Sequence, residues 1–349
     1  MKRLLFIGTY SDRDSRGLYA CEADSETGAL TPLAEPLLPS PVINPTYIAC
    51  QGDWVYTVCE MSEDTPPRRG GIAAFRMKGR GGALEHRCSL PCGMGSPCHV
   101  SVFDGGRRLA VSQYKTGELY IIALAPDGLP TTVENVFRIE GHGPMASRQE
   151  GPHVHSALAS PDGKTLFSAD LGVDLIYRYR IERESAKPIE PLSCPSGSGP
   201  RHMVFSADGA LLWVIGELDS TVIGFRKEGA DYRLLGHWPL LPPDFKGESW
   251  AAEIRLHPNG RWLYATNRGL DDVVALALQP DGSPAIIGRS PTANWPRGMI
   301  ISPDGRFLYA AGQHADRIDC FAINPLTGGL EKRGGLAGIP SPVGFAFAD

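Results

Sequence analysis

The stretch Gly199 to Leu218, GPRHMVFSADGALLWVIGEL, decides how the chain folds. Arg201 to Ser206 alternates in the manner of a half-buried strand, and Leu211 to Glu217 is apolar around Trp213. Ala-Asp-Gly stands between them. Asp-Gly joining two such runs predicts a β-hairpin, because glycine accepts the positive φ of a tight turn. Antiparallel pairing brings the start of the first strand beside the end of the second. Two charged residues occupy that open end: Arg201 lies eight residues before Gly209, and Glu217 eight after it.

The unit recurs. Turn glycines stand at Gly52 (QGDW), Gly106 (FDGG), Gly163 (SPDG), Gly209 (SADG), Gly260 (HPNG) and Gly305 (SPDG), at intervals of 54, 57, 46, 51 and 45 residues. Apolar strands flank each, and a third strand such as ELYIIAL, LIYRYRI or RIDCFAI often follows. Four short strands per unit at this period predict an all-β propeller. Six glycines give six blades, and the chain ends supply a seventh. Pro342 to Ala348 reads as a first strand, Leu4 to Thr9 as a second, and Gly17 to Glu22 and Ala29 to Leu33 as third and fourth. Pairing the N- and C-terminal strands in one blade closes the ring and leaves no exposed edge. The expected architecture is a seven-bladed β-propeller of four-stranded blades, one domain over residues 1–349. Turn residues interrupt nearly every apolar run before helical length, which excludes a helix-rich fold.

Composition narrows the function. A formal net charge of -5 over 349 residues implies no general polyanion-binding surface, so no nucleic-acid partner is expected. The 41 glycines and 30 prolines, spread throughout, fit short strands with tight turns. Eight cysteines at irregular spacing in so long a chain point to reduced, buried thiols. Cys88, Cys92 and Cys98 lie near His86 and His99, but no second ligand pair follows at zinc-finger spacing, so neither a metal nor another cofactor is expected. The apolar run Leu4 to Gly8 is too short for a signal peptide, and no run is long enough to cross a bilayer. A cytoplasmic protein without a membrane partner is expected.

In a propeller the first strand of each blade lines the central channel. The residues eight before each turn glycine are Asn44, Cys98, His155, Arg201, Ala252 and Arg297; those eight after are Glu60, Tyr114, Leu171, Glu217, Arg268 and Gln313. Superposed blades put all twelve around one mouth and the Asp-Gly turns around the other. His99, His153, His202, Glu253, Asn267, His314 and the run Arg148-Gln149-Glu150 neighbour the first mouth. A concave rim rich in Arg, His and Glu, none of which the repeat needs to fold, predicts a small-molecule site. Its substrate-binding candidates are His99, Arg148, Gln149, Glu150, His202, Glu253, Asn267, Arg297 and Gln313. Plainer readings stand beside this one. Arg201 and Glu217 also suit a structural ion pair within one blade. His153 and His155 share a strand face by alternation and also suit simple hydrogen bonding. Glu253 also suits unpaired backbone donors. Asp162, Asp208 and Asp304 read as turn formers.

Several stretches carry a family likeness: IGTYSD, GLYACEADSETGAL, INPTYIA, PCHVSV, RQEGPHVHSALASPDG, ADLGVDLIYRY, GSGPRHMVFSADG, VIGELDSTV, SWAAEIRLHPNGRWLYATNRG, PRGMIISPDGRFLYAAGQ and PSPVGFAF. In this order, over nearly the whole chain, they resemble the seven-bladed propeller lactonase family, which includes bacterial 6-phosphogluconolactonases and fungal carboxy-muconate cyclases. The resemblance implies a site of one His, two Arg and one Glu. These fall on His153 or His155 in GPHVHS, Arg201 in GPRH, Glu217 in GEL and Arg268 in NRG. Gly216 departs from the pattern, since the family usually shows Asn before the Glu. The implied activity is hydrolysis of a sugar-acid lactone, as in a 6-phosphogluconolactonase, so the expected partner is a small lactone or anionic sugar acid. Glu217 or a rim His would serve as general base. Arg201 and Arg268 would stabilise the oxyanion and hold an anionic substrate group. The same constellation run in reverse would serve a cycloisomerase. A non-catalytic protein-binding propeller is the third reading; the missing Trp-Asp blade endings and the charge gathered at one mouth argue against it.

Overall fold

In the computed structural model, which describes residues 2–33, 42–60, 70–93, 95–183 and 185–348, the opening stretch is the hairpin it reads as. Pro200–Phe205 pairs with Leu211–Gly216, Val204 opposite Trp213. Gly209 takes φ 69°. The Asp208 carboxylate accepts from the Ala210 amide at 3.0 Å and from the Ser206 hydroxyl at 2.6 Å, which closes the turn. Ser160 with Asp162 and Ser302 with Asp304 repeat the same 2.6 Å contact, so these aspartates are turn formers.

Among the described residues the strands form seven four-stranded antiparallel sheets. Six run in sequence order from the channel outward. The seventh is built from both ends: Pro342–Phe347 pairs with Lys2–Thr9, which pairs with Tyr19–Asp24 and then Leu30–Pro32. Phe6 lies opposite Ala346 and Ile7 opposite Phe345. The inner strands pack one against the next in a complete circle, the last returning to Ile48–Gln51. Where they converge there is no room for side chains: a Cβ on Gly298 would lie 2.1 Å from the Val343 carbonyl, and one on Gly344 2.2 Å from that of Thr46.

The core is divided as the ring requires. Seven buried apolar clusters fill the seven clefts between neighbouring blades, among them Trp54, Tyr56, Leu109 and Ile122 in one and Trp213, Ile215, Leu263 and Val274 in another. Polar pins cross these clefts. The Trp213 indole donates to the Gly282 carbonyl at 3.0 Å, Tyr264 to Gly328 at 2.8 Å and Tyr309 to Gly28 at 3.1 Å. Each pin joins a second-strand aromatic to an outer turn of the following blade, and the Tyr309 pin crosses the closure. All eight cysteines are free thiols. No helix among the described residues is long and apolar enough to cross a membrane.

Candidate active site

One backbone device places most of the polar residues. In six blades the inner strand slips by one residue against its partner: between Pro97 and His99, Val154 and Ser156, Pro200 and Met203, Ala251 and Ile254, Pro296 and Gly298, and Pro342 and Gly344. The residues in these β-bulges are Cys98, His155, Arg201 with His202, Ala252 with Glu253, Arg297 and, in the closing blade, the apolar Val343. A bulge leaves its extra residue out of the ladder and re-aims its side chain. The site residues sit where the pairing fails.

Opposite them, the second strands end in Glu60, Tyr114, Glu217 and Arg268. Together with Cys98, Arg148, His155 and Arg297 these line a cavity of about 220 Å³. Glu217 is its electrostatic centre. Arg148 Nη2 donates to Glu217 Oε1 at 2.6 Å, while Arg201 Nε and Arg268 Nη2 each lie 2.9 Å from Oε2. Burial raises the Glu217 pKa, but Arg268, Arg201, His155 and Arg148 outweigh it and hold the carboxyl well below its usual range. Arg268 also donates to the carbonyls of Trp250 and Ala251. Arg148 comes from the long connection between Pro130–Arg138 and Val154–Ala159. Its guanidinium lies 4.3 Å from the Trp250 ring centroid and donates to the Tyr114 hydroxyl.

Four imidazoles lie close together, and three are committed. His153 Nδ1 is 2.8 Å from the Tyr114 carbonyl, its ring stacked on that of Tyr114 at 4.4 Å. His202 Nδ1 is 2.9 Å from Glu253 Oε1. His99 Nδ1 accepts from the Ala157 amide at 3.4 Å. His155 makes no hydrogen bond through either nitrogen among the described residues: Nδ1 is buried without a partner, and Nε2 lies 4.0 Å from Glu217 Oε2. Burial first, then Arg201 and His202, push its pKa well below the ordinary histidine value, so the ring is neutral near pH 7.

Seven of the twelve repeat positions line the cavity. Arg201 stands behind Glu217, donating to the Ala252 carbonyl and touching both nitrogens of His202 at 3.3 Å. Asn44 bonds the Glu60 carbonyl, and Leu171 and Ala252 are buried core. Other expectations need correction. His153 and His155 do not share a strand face, because His153 precedes the strand and the bulge intervenes. Gln149 carries its loop: its amide donates to the Leu171 carbonyl at 2.9 Å and to Asp174 at 2.8 Å. Asn267 is buried and bonded to Asp272. Glu150 is an exposed partner of His153. Gln313 joins a turn through its backbone and does not line the cavity. His99, His202 and Glu253 form a second tier with Tyr47 and Arg255, whose Nη2 is 3.3 Å from Glu253 Oε2. At Gly216 a Cβ would lie 2.5 Å from Thr221 Oγ1 and 2.6 Å from Asp219 Oδ1, so glycine suits this position.

Sequence reasoning missed Tyr10, Tyr47, Trp250, Arg255 and Trp295. Tyr10 donates to Glu60 at 3.1 Å, and Trp295 lies 5.6 Å from the Arg268 guanidinium. Only Arg255 carried a signal, being two residues from Glu253 on one strand. A larger cavity, about 770 Å³, is lined by turn residues including Asp304 and Gly305. Its histidine, His257, is spent on the Gly305 carbonyl and the Asn259 amide. Among the described residues no three His, Cys, Asp or Glu side chains are grouped to hold a metal ion.

Comparison with known proteins bears on the same chain. The family described as Lactonase, 7-bladed beta-propeller matches residues 4–347. A Bacillus subtilis (strain 168) protein named 6-phosphogluconolactonase is 29% identical over 350 residues, 99% of this chain and 98% of its own. One of the same name from Enterobacter sp. (strain 638) is 34% identical over 273 residues, 76% of this chain and 78% of its own. The structure of a periplasmic gluconolactonase from Pseudomonas aeruginosa superposes with a TM-score of 0.92 at 29% identity, covering 100% of this chain and 99% of that one.

Proposed function

The chain belongs to the seven-bladed β-propeller lactonases, and from that premise we propose that it hydrolyses a sugar-acid lactone, 6-phosphogluconolactone above all, with His155 as general base. The names of its relatives support the substrate class. The observation that carries the reading is the unpaired imidazole of His155 in a cavity walled by arginines. A neutral ring with no hydrogen bond to break is free to take a proton.

In this reading His155 takes a proton from a water as its oxygen bonds to the lactone carbonyl carbon. The carbonyl oxygen gains the charge, and Arg268, backed by Arg201, stabilises it. Collapse of the tetrahedral intermediate breaks the ring C–O bond, and the imidazolium returns the proton to the departing oxygen. The product is a hydroxy acid that ionises in water. Glu217 serves as the fixed anion: it stays ionised, holds the guanidiniums in place and stabilises the imidazolium 4.0 Å away. Both of its oxygens are taken up by guanidiniums, whereas the nitrogens of His155 hold no hydrogen bond among the described residues, which moves that role to His155. We place the enzyme in the cytoplasm, where eight free thiols are at home.

The test is His155→Gln, assayed by pH-stat against sugar lactones and corrected for spontaneous hydrolysis. Turnover should fall by about 10²–10⁴-fold, the usual contribution of a positioned proton-transfer group, at an unchanged melting temperature. A folded variant that keeps the wild-type rate removes His155 from the chemistry.

A further inference from the structure

The site holds four arginines and two glutamates, and the pairing is uneven. Arg148, Arg201 and Arg268 all close on Glu217. Arg297 does not. Among the described residues no carboxylate forms an ion pair with it, and its guanidinium makes no hydrogen bond. It lies 5.5 Å from the Tyr10 ring centroid, half-buried, and lines the cavity. Glu60, the nearby acid, is occupied by hydroxyls: Thr46 donates to it at 2.7 Å and Tyr10 at 3.1 Å. The planar guanidinium fork of Arg297 is therefore without a hydrogen-bond partner among the described residues at the wall of the cavity.

Four cations against two anions leave the enclosed site short of two negative charges. Enclosing charge without a counter-ion is costly, so a dianion suits this site better than a neutral ligand. A phosphate monoester is close to a dianion at pH 7 and accepts the fork of an arginine bidentately. Arg297 lies on the inner strand Pro296–Ile301 and His155 on the inner strand Val154–Ala159, three blades apart, so the two face the cavity from well-separated parts of the ring. A substrate with its reacting carbonyl at one end and its phosphate at the other can span them.

We infer that Arg297 anchors the phosphate of the substrate and is the residue by which this enzyme separates phosphorylated from neutral sugar lactones. The inference rests on the lactonase reading above. It assigns a division of labour among the arginines: three are locked to Glu217 near the reacting carbon, and one is held open for the substrate.

Two measurements on the wild type, Arg297→Gln and Arg297→Lys test it. The first is hydrolysis of 6-phosphogluconolactone and of unphosphorylated gluconolactone by each protein. Arg297→Gln should lose about 10–10²-fold in kcat/KM on the phosphorylated lactone, mostly through KM, as expected for one charge-assisted interaction. The neutral lactone should lose clearly less, so the ratio of the two kcat/KM values should fall. Arg297→Lys keeps the charge, guards against a folding loss and should retain part of the preference. The second is calorimetric titration with inorganic phosphate, which needs no turnover and should weaken by a similar factor in Arg297→Gln. Equal loss on both lactones, or phosphate bound as tightly by the variant, overturns the assignment. Arg297-dependent phosphate binding in a wild type that hydrolyses no lactone would sink the lactonase reading and keep the anchor. Lactone turnover with phosphate binding indifferent to Arg297 would do the reverse.

Discussion

Glu217→Gln separates a base from a hub. The side chain is 4% exposed and touches three guanidiniums, at 2.6, 2.9 and 2.9 Å. Glutamine keeps its shape and removes its charge, leaving buried cations without their counter-ion. Breaking a buried pair from one side costs about 3–5 kcal/mol. A chain of this size melts with an entropy on the order of 0.7 kcal/mol/K, so the melting temperature should fall by about 4–7 °C. Turnover should fall with it, because Arg201 and Arg268 lose the carboxylate that aims them. The pH dependence follows from the depressed pKa. Stabilisation from a group of this kind is complete above its unfolded value, about 4.3, and is lost as pH falls through the lower folded value. The gap between wild type and variant should stay constant from pH 8 to about 5 and narrow only in stronger acid. Differential scanning calorimetry and lactone assays on the same preparations give both readouts. A variant that melts with the wild type at pH 7 refutes the hub; one that melts normally yet loses turnover restores Glu217 as the base.

Other outcomes follow from the same geometry. His155 is held well below its ordinary pKa, so kcat/KM should stay flat as pH falls from 8 past 6.5; an acid limb near 6.5 or above contradicts it as the base. Burial raises the Asp170 pKa to about 6, and its Oδ2 has no hydrogen-bond partner among the described residues. A raised carboxyl favours the fold below its unfolded pKa and loses that benefit as pH rises through about 6. The stability difference should therefore move toward Asp170→Asn by about 2 kcal/mol between pH 4 and 7, and a pH-independent difference refutes this. Deleting Pro342 to Asp349 removes the inner strand of the closing blade and uncovers Leu5 and Ile7, so the protein should aggregate or melt much lower; an unchanged melting temperature counts against closure.

The fold was legible because each blade repeats one local instruction. Asp-Gly or its equivalent sets a hairpin, and the period between turns sets the blade. The half-blades at the two ends lacked complementary strands, so closure could be read as well. The site was only partly legible, for a reason at the level of hydrogen bonds. Counting eight residues from the turn glycine assumes regular pairing, and pairing is irregular at the inner-strand starts. The count still found Arg201, Glu217 and Arg268, because the bulge falls next to them and shifts their direction, not their blade. It failed for His153, whose place on a shared face depended on alternation. It also failed for Gln149 and Asn267, whose amides serve backbone and turn groups that no spacing rule shows. Trp250 and Trp295 stack against arginines from other parts of the chain, contacts that exist only once the ring has closed.

That dependence on the ring explains how one carboxylate can organise the site. Glu217 and Arg201 belong to the blade of the Gly209 hairpin; Arg268 comes from the next blade, and Arg148 from the connection into the preceding one. No blade folded alone would hold more than one of these three ion pairs. The apolar clefts fix the blades relative to one another, and the second-strand aromatics pin them, so the arginines converge before any substrate arrives. Three mutually repelling guanidiniums stay together because a single anion sits between them at hydrogen-bond distances. Ionised, Glu217 both repays part of their repulsion and surrenders its basicity, since the field that holds it charged also makes it reluctant to take a proton. A site arranged this way needs its proton acceptor elsewhere, close to the anion but outside the arginine contacts. His155, emerging from the bulge one blade back with both nitrogens unbonded, occupies that position.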